Sequence, residues 1–144
     1  MDKVLIKISS WQKDISGEIN RIDLTTIGKH YYKNSMHYVL YEEAVEGSED
    51  TVHTMLKISD AAMTLVRRGP IKQEQYFALE VSSESNYITP YGNLLLAVCP
   101  HKLMINYGAT AGTIAIDYDL SMNGQLQSHN KLRIEISADS EAAV

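Results

Sequence analysis

With a single cysteine, Cys99, the chain cannot close an internal disulfide, so its fold rests on burial and hydrogen bonding and suits a reducing compartment. Proline is nearly as scarce, with three in 144 residues, and Pro70 and Pro90 fall where strand-like runs end. No stretch approaches the ~20 apolar residues of a membrane span, and the run over Met1–Trp11 is too short for a signal core and is interrupted by Lys3 and Lys7. Positive charge is also thin. Lys and Arg number 13 against 18 Asp and Glu, and the densest basic spot is Arg67-Arg68, which argues against a nucleic-acid footprint. The expectations are a cytoplasmic protein with neither a membrane nor a nucleic acid as partner.

Chemistry-bearing motifs are missing too. His30, His37, His53, His101 and His129 show no zinc-type spacing, and Cys99 has no companion thiol. There is no G-x-S-x-G, and Gly108–Gly112 lacks the lysine and following helix of a phosphate loop. Asp117 and Asp119 share a strand face, where alternating acids serve solubility better than acid–base work. No catalytic residue, metal or cofactor is therefore assigned, and the chain is expected not to be an enzyme.

What is present is alternation. Ile114, Ile116, Tyr118, Leu120 and Met122 occupy one face of a run whose other face holds Ala115, Asp117, Asp119 and Ser121. Asn123-Gly124 is a strong hairpin turn, and Leu132, Ile134 and Ile136 return along a second limb. A plain two-residue loop would set Ile116 against Lys131 and mix the faces. A one-residue shift sets Ile114 against Ile134, Ile116 against Leu132, Asp117 against Lys131 and Asp119 against His129. The pattern therefore predicts a three-residue loop, or a bulge near His129-Asn130. It also leaves Tyr118 opposite Asn130 and Leu120 opposite Ser128, a polar break on the inward face.

The same grammar runs through the rest of the chain. Strands are expected over Lys3–Trp11, Glu18–Tyr32 (with a bulge or bend at Gly28), Met36–Glu42, Thr51–Ser59 and Ala62–Arg68. Further strands are expected within Lys72–Val81 and over Asn86–Thr89, Asn93–Pro100 and Lys102–Tyr107. Glu42–Asp50 reads as a solvated acidic loop and Ser82–Ser85 as a polar break, while Leu94–Val98 is apolar on both faces and is expected to be covered on both. Short strands at this spacing with no helical period predict one all-β domain over 1–137, a single antiparallel up-and-down β-barrel of about 8–10 strands, with 138–144 as a flexible tail.

Several segments together resemble the YwiB-like family of uncharacterised bacterial calycin-type proteins. They are Thr25-Thr26-Ile27-Gly28 leading to Tyr31-Tyr32, Leu40-Tyr41-Glu42-Glu43, Lys57-Ile58-Ser59, Arg67-Arg68-Gly69 with Gln75 beyond it, Tyr87–Gly92, Ile116–Leu120 and Asn123-Gly124-Gln125. The departure is Ile27, which separates Thr26 from Gly28 where the family more often runs Thr-Gly directly. The resemblance implies a lipocalin-like, calycin-type barrel and no particular activity. Trp11 and Arg133 also stand where lipocalins place a Trp–Arg pair, but no glycine lies two residues before Trp11.

A barrel of this size can hold a ligand, and polar groups on the apolar faces mark where. Arg67 shares a face with Met63 and Leu65, so its guanidinium could meet a ligand carboxylate. Tyr118, Ser128 and Asn130 form the polar break described above, and Tyr38 and Tyr87 could add hydroxyls. The expected function is binding of a small apolar or carboxylate-bearing molecule inside the barrel. The alternative is a protein-interaction or structural module with a packed interior. The oligomeric state stays open.

Overall fold

The computed structural model describes residues 1–45 and 47–139. It contains ten strands: β1 (Asp2–Asp14), β2 (Ile19–Lys33), β3 (Met36–Ala44), β4 (Thr51–Ile58), β5 (Ala62–Arg68), β6 (Gln73–Ala78), β7 (Ser83–Thr89), β8 (Gly92–Tyr107), β9 (Gly112–Met122) and β10 (Gln125–Ala138). All described pairings are antiparallel, in the order β6-β5-β4-β3-β2-β1-β10-β9-β8-β7. Every neighbour in this order is also a neighbour in sequence except β1 and β10. The barrel is nearly closed: β6 and β7 share no ladder, but Lys72 and Ile88 exchange two backbone hydrogen bonds of 2.9 Å. The expected all-β, up-and-down barrel is thus the observed one.

The last hairpin keeps the register that cross-strand chemistry demanded, by a different device. Ile114 faces Ile134, Ile116 faces Leu132, Asp117 faces Lys131, and Asp119 faces His129. The turn itself is the tight two-residue one, with Met122 opposite Gln125 and positive φ at Asn123 (49°) and Gly124 (84°). The faces are brought into line by a bulge between Leu126 and Ser128, ahead of the expected place. The turn keeps its preferred geometry because one extra residue downstream absorbs the mismatch.

Other expectations are corrected by the same kind of local physics. Asn93–Pro100 and Lys102–Tyr107 are one strand, β8, whose register shifts between Pro100 and Lys102. Pro100 fits because β7 pairs only as far as Val98, so no neighbour there needs its missing N–H. Leu95 is 38% exposed, so β8 is not covered on both faces. β7 begins at Ser83, inside the supposed polar break, and β3 runs on through Glu43 into the supposed acidic loop. Gly28 carries no bulge, since the β1–β2 register runs through it unbroken. Instead, a side chain there would strike β3: an added Cβ would stand 2.4 Å from the Leu40 carbonyl oxygen and 2.6 Å from Ile6 Cδ1. Ala138 belongs to β10 opposite Val4, and the Asp139 N–H donates to the Lys3 carbonyl at 3.2 Å. The rest of the expected tail, 140–144, lies outside the described residues.

The inward faces divide the barrel into two ends. Val4, Ile6, Val39, Ile58, Ile114 and Ile136 pack one end, each at most 2% exposed. A plug of rings finishes that end. His30 is buried and its Nε2 meets His37 Nδ1 at 2.9 Å, while Tyr107 stacks 4.0 Å from the His37 ring. Burial, and secondarily the neighbouring His30, hold the His37 imidazole below its ordinary pKa, with Asp60 opposing them. At the other end β2 parts from β3. Their ladder covers only Lys29–Lys33, so the stretch 19–28 of β2 pairs with β1 alone among the described residues.

Candidate functional site

Where β2 parts from β3, the interior is not filled. A cavity of about 390 Å³ is lined by apolar side chains including Ile8, Leu56, Met63, Phe77, Leu120 and Ile134. Ile22 and Leu24, which alternation turns inward, stand at its opening and remain 69% and 37% exposed because no β3 residue covers them.

The polar lining forms one connected group. Arg67 lies inside the barrel, as its face-sharing with Met63 and Leu65 predicts, and its Nη1 donates to Gln73 Oε1 at 2.8 Å. Its Nε lies 3.6 Å from Glu43 Oε1 and has no hydrogen-bond partner among the described residues. Thr54 donates to the same Glu43 oxygen at 3.0 Å. From Gln73 the chain of bonds continues through Ser85 (3.2 Å) to Gln75 Oε1 (2.6 Å). Five strands, β3 to β7, therefore contribute to one network, with its charge balanced by Arg67 and Glu43. Burial first, and then the Glu43 carboxylate, push the Tyr41 hydroxyl well above the ordinary tyrosine range. Burial also raises the Tyr118 hydroxyl, partly offset by a hydrogen bond with Asn130 and by Arg67. Both phenols stay protonated at neutral pH and keep a proton to donate.

Of the residues singled out in the sequence, Arg67, Tyr118 and Tyr87 line the cavity. Ser128 and Asn130 are buried on the same inward face, opposite Leu120 and Tyr118, but are not among its lining. Ser128 Oγ and Asn130 Oδ1 have no hydrogen-bond partner among the described residues. Tyr38 does not belong to this site. Its neighbours Val39 and Tyr41 point inward, so Tyr38 points outward and stacks on Tyr31 with ring centres 4.6 Å apart. Sequence reading missed Glu43, Gln73, Gln75 and Ser85. Parity was the available signal: Glu43 is two residues from inward Tyr41, and Gln73 and Gln75 alternate toward inward Phe77.

The remaining titratable clusters lie elsewhere. Asp119 is on the outer surface, bonded through separate oxygens to His101 (2.6 Å) and to His129. Partial burial raises its pKa, but these two bonds lower it further, leaving the carboxyl below its ordinary value. Trp11 lies beneath Lys131, whose ammonium is 5.3 Å from the ring centre, while Arg133 faces Ser9 on the exposed side. The lipocalin Trp–Arg arrangement is not formed. Among the described residues no helix is long and apolar enough to cross a membrane.

Comparison with known proteins places this geometry. Residues 6–134 match the family model described as "Domain of unknown function (DUF1934)". The chain is 29% identical over 108 residues to the uncharacterized beta-barrel protein YwiB of Bacillus subtilis (strain 168), covering 75% of this chain and 74% of that protein. The crystal structure of ywiB protein from Bacillus subtilis matches with a TM-score of 0.86 at 23% identity, over 96% of this chain and 93% of that one. That likeness extends to the barrel fold.

Proposed function

Since the chain belongs to the DUF1934 family, a domain of unknown function, its role has to be argued from its own interior, and we propose that it binds a small, mostly apolar molecule inside the barrel. The observation that carries this reading is the cavity of about 390 Å³, apolar over most of its wall and polar where Arg67, Glu43, Gln73 and Tyr118 meet. Ligand pockets run from about 300 to 1,000 Å³ and combine this kind of apolar lining with a few orienting polar groups. The proposal extends to a calycin-like binder without catalytic chemistry, in a cytoplasmic setting that suits the free thiol of Cys99.

The network also bears on the ligand's polar end. Arg67 already has Glu43 beside it at 3.6 Å, so a ligand carboxylate would face an anion as well as a cation. A neutral polar end, such as a hydroxyl or carbonyl, would meet the Arg67–Glu43 pair without that repulsion. This favours a neutral amphiphile over a fatty acid.

Titration calorimetry with dodecanol and dodecanoate, supported by native mass spectrometry of protein purified from its source, tests the reading. Dodecanol is expected to bind more tightly than dodecanoate. Ser10→Phe, which puts a ring into the cavity from β1, is expected to abolish binding while the protein stays folded. A folded protein that takes up neither probe and carries no small molecule would overturn the proposal.

A further inference from the structure

The free edge of β2 is the most unusual surface of the molecule. Over 19–27 its outer edge offers a row of backbone N–H and C=O groups that pair with no second strand among the described residues. Barrels ordinarily remove such edges, and open sheets blunt them with proline, bulges or inward-pointing charge. β2 uses none of these devices here: it contains no proline and its register with β1 is unbroken. It also carries exposed apolar residues on both faces, Ile22 and Leu24 (69% and 37%) inward and Ile19 and Ile27 (56% and 45%) outward, the latter flanking Arg21 and Asp23.

We propose that a second copy of this chain pairs with that edge, so that the protein forms a two-fold symmetric dimer through antiparallel β2 strands centred on Ile22. The centre is fixed by charge. A two-fold axis at Ile22 sets Arg21 opposite Asp23 of the partner subunit and Asp23 opposite Arg21 of the partner subunit. It also sets Ile22 against its own copy. Moving the axis to Asp23 would face two aspartates, and moving it to Arg21 would face two arginines, both destabilising. With its axis at Ile22 the strand gains two ion pairs with its own copy, a match that an unrelated peptide would make only by chance. In the isolated chain Arg21 reaches Asp23 at 3.3 Å with both side chains more than 60% exposed, so Arg21 can exchange partners while Ser9, donating to Asp23 at 2.7 Å, holds the carboxylate in place on the strand.

The pairing has a consequence for the cavity. Ile22 and Leu24 stand at its opening, and a strand docked on the β2 edge covers them and supplies a wall where β3 is absent. The dimer does not depend on a ligand, so it stands or falls separately from the binding proposal.

Sedimentation of the full-length protein over a dilution series tests it. A species of about 32 kDa, twice the 16.1 kDa chain, is expected to dominate at high concentration. Arg21→Asp should weaken self-association by about tenfold, because each of the two symmetric ion pairs becomes a like-charge pair. Adding Asp23→Arg to that variant should restore association, since the swapped charges again meet their opposites. Circular dichroism of each variant verifies that the exposed substitutions leave the barrel folded. A wild-type protein that stays monomeric throughout overturns the proposal. So does a dimer that Arg21→Asp leaves intact, or one that the double variant fails to rescue.

Discussion

Replacing Gly28 with alanine sets two physical terms against each other. On backbone grounds alone the change should help, because Gly28 is not among the residues at positive φ and glycine within a strand costs about 0.5–1 kcal/mol relative to alanine. Against it stands the approach of β3. The new methyl would lie 2.4 Å from the Leu40 carbonyl oxygen, about 1 Å inside ordinary carbon–oxygen contact, and 2.6 Å from Ile6 Cδ1. The Ile6 contact can relax by a rotation, but the Leu40 contact is with backbone at the point where the β2–β3 ladder starts. Overpacking of this kind costs about 1–3 kcal/mol, so the clash wins and the variant should lose about 1–2 kcal/mol net. At about 2–4 °C per kcal/mol for a chain of this size, Tm should fall by about 2–8 °C. Urea unfolding followed through Trp11 fluorescence gives the free energy directly. Repeating the substitution on Ile6→Val, which removes Cδ1, should make it less costly without cancelling it. An unchanged or raised midpoint in Gly28→Ala would refute the reasoning, because it would mean that β3 does not press on β2 there.

Three further outcomes follow from the side chains. Because His37 is held below its ordinary pKa, the fold favours its neutral form, and its contribution is complete above the unfolded value of 6.5 and lost as pH falls below it. His37→Gln should therefore show a smaller Tm loss than wild type between about pH 7.5 and 5, and equal losses would sink the assignment. Arg67→Met strips partners from Glu43 and Gln73 and should cost about 1–3 kcal/mol, toward the low end because about a quarter of the Arg67 and Glu43 side chains is exposed; chemical denaturation should show Glu43→Gln recovering part of it. In the β2–β3 turn, Asn34 and Ser35 both stand at positive φ (52° and 63°), a cost that glycine avoids. Ser35→Gly should stabilise by about 0.5 kcal/mol in the same assay, and a loss would show that its hydroxyl matters more than its backbone.

Much of the barrel was legible because period two is a strong constraint. In β9 and β10 the apolar residues and the Asp117–Lys131 and Asp119–His129 pairs agree on one register, so the bulge could be inferred before its position was known. Arg67 was legible for the same reason. Glu43 was not: as one of several acids running into Gly47-Ser48, it looks solvated unless the strand is known to continue past Glu42. Gln73, Gln75 and Ser85 were lost to a segment whose composition fits a helical turn or a polar linker equally well. Tyr38 shows the opposite error, since tyrosine suits either face and only the burial of Val39 and Tyr41 decides which one it takes. The gap between β2 and β3 could not be read at all. Ile22 and Leu24 alternate like any buried strand, and nothing in a strand's own sequence says how far its neighbour accompanies it.

The β1–β10 ladder has a meaning for how the chain reaches its fold. Written in spatial order, the sheet consists of two runs of consecutive strands, β1 to β6 and β7 to β10, each assembled from hairpins between neighbours in sequence. Among the described residues the one full ladder that joins them runs from Val4–Ala138 to Asp14–Ser128, and the Lys72–Ile88 bridge ties their other ends. Each run, and the Lys72–Ile88 bridge between them, can form from contacts close along the chain, whereas the β1–β10 ladder must close a loop that spans all the other strands. During synthesis β1 emerges first and must wait, one edge bare, until β10 has been made. The barrel is in this sense two local folding problems sealed by one distant event, and that event governs when the interior first comes into being.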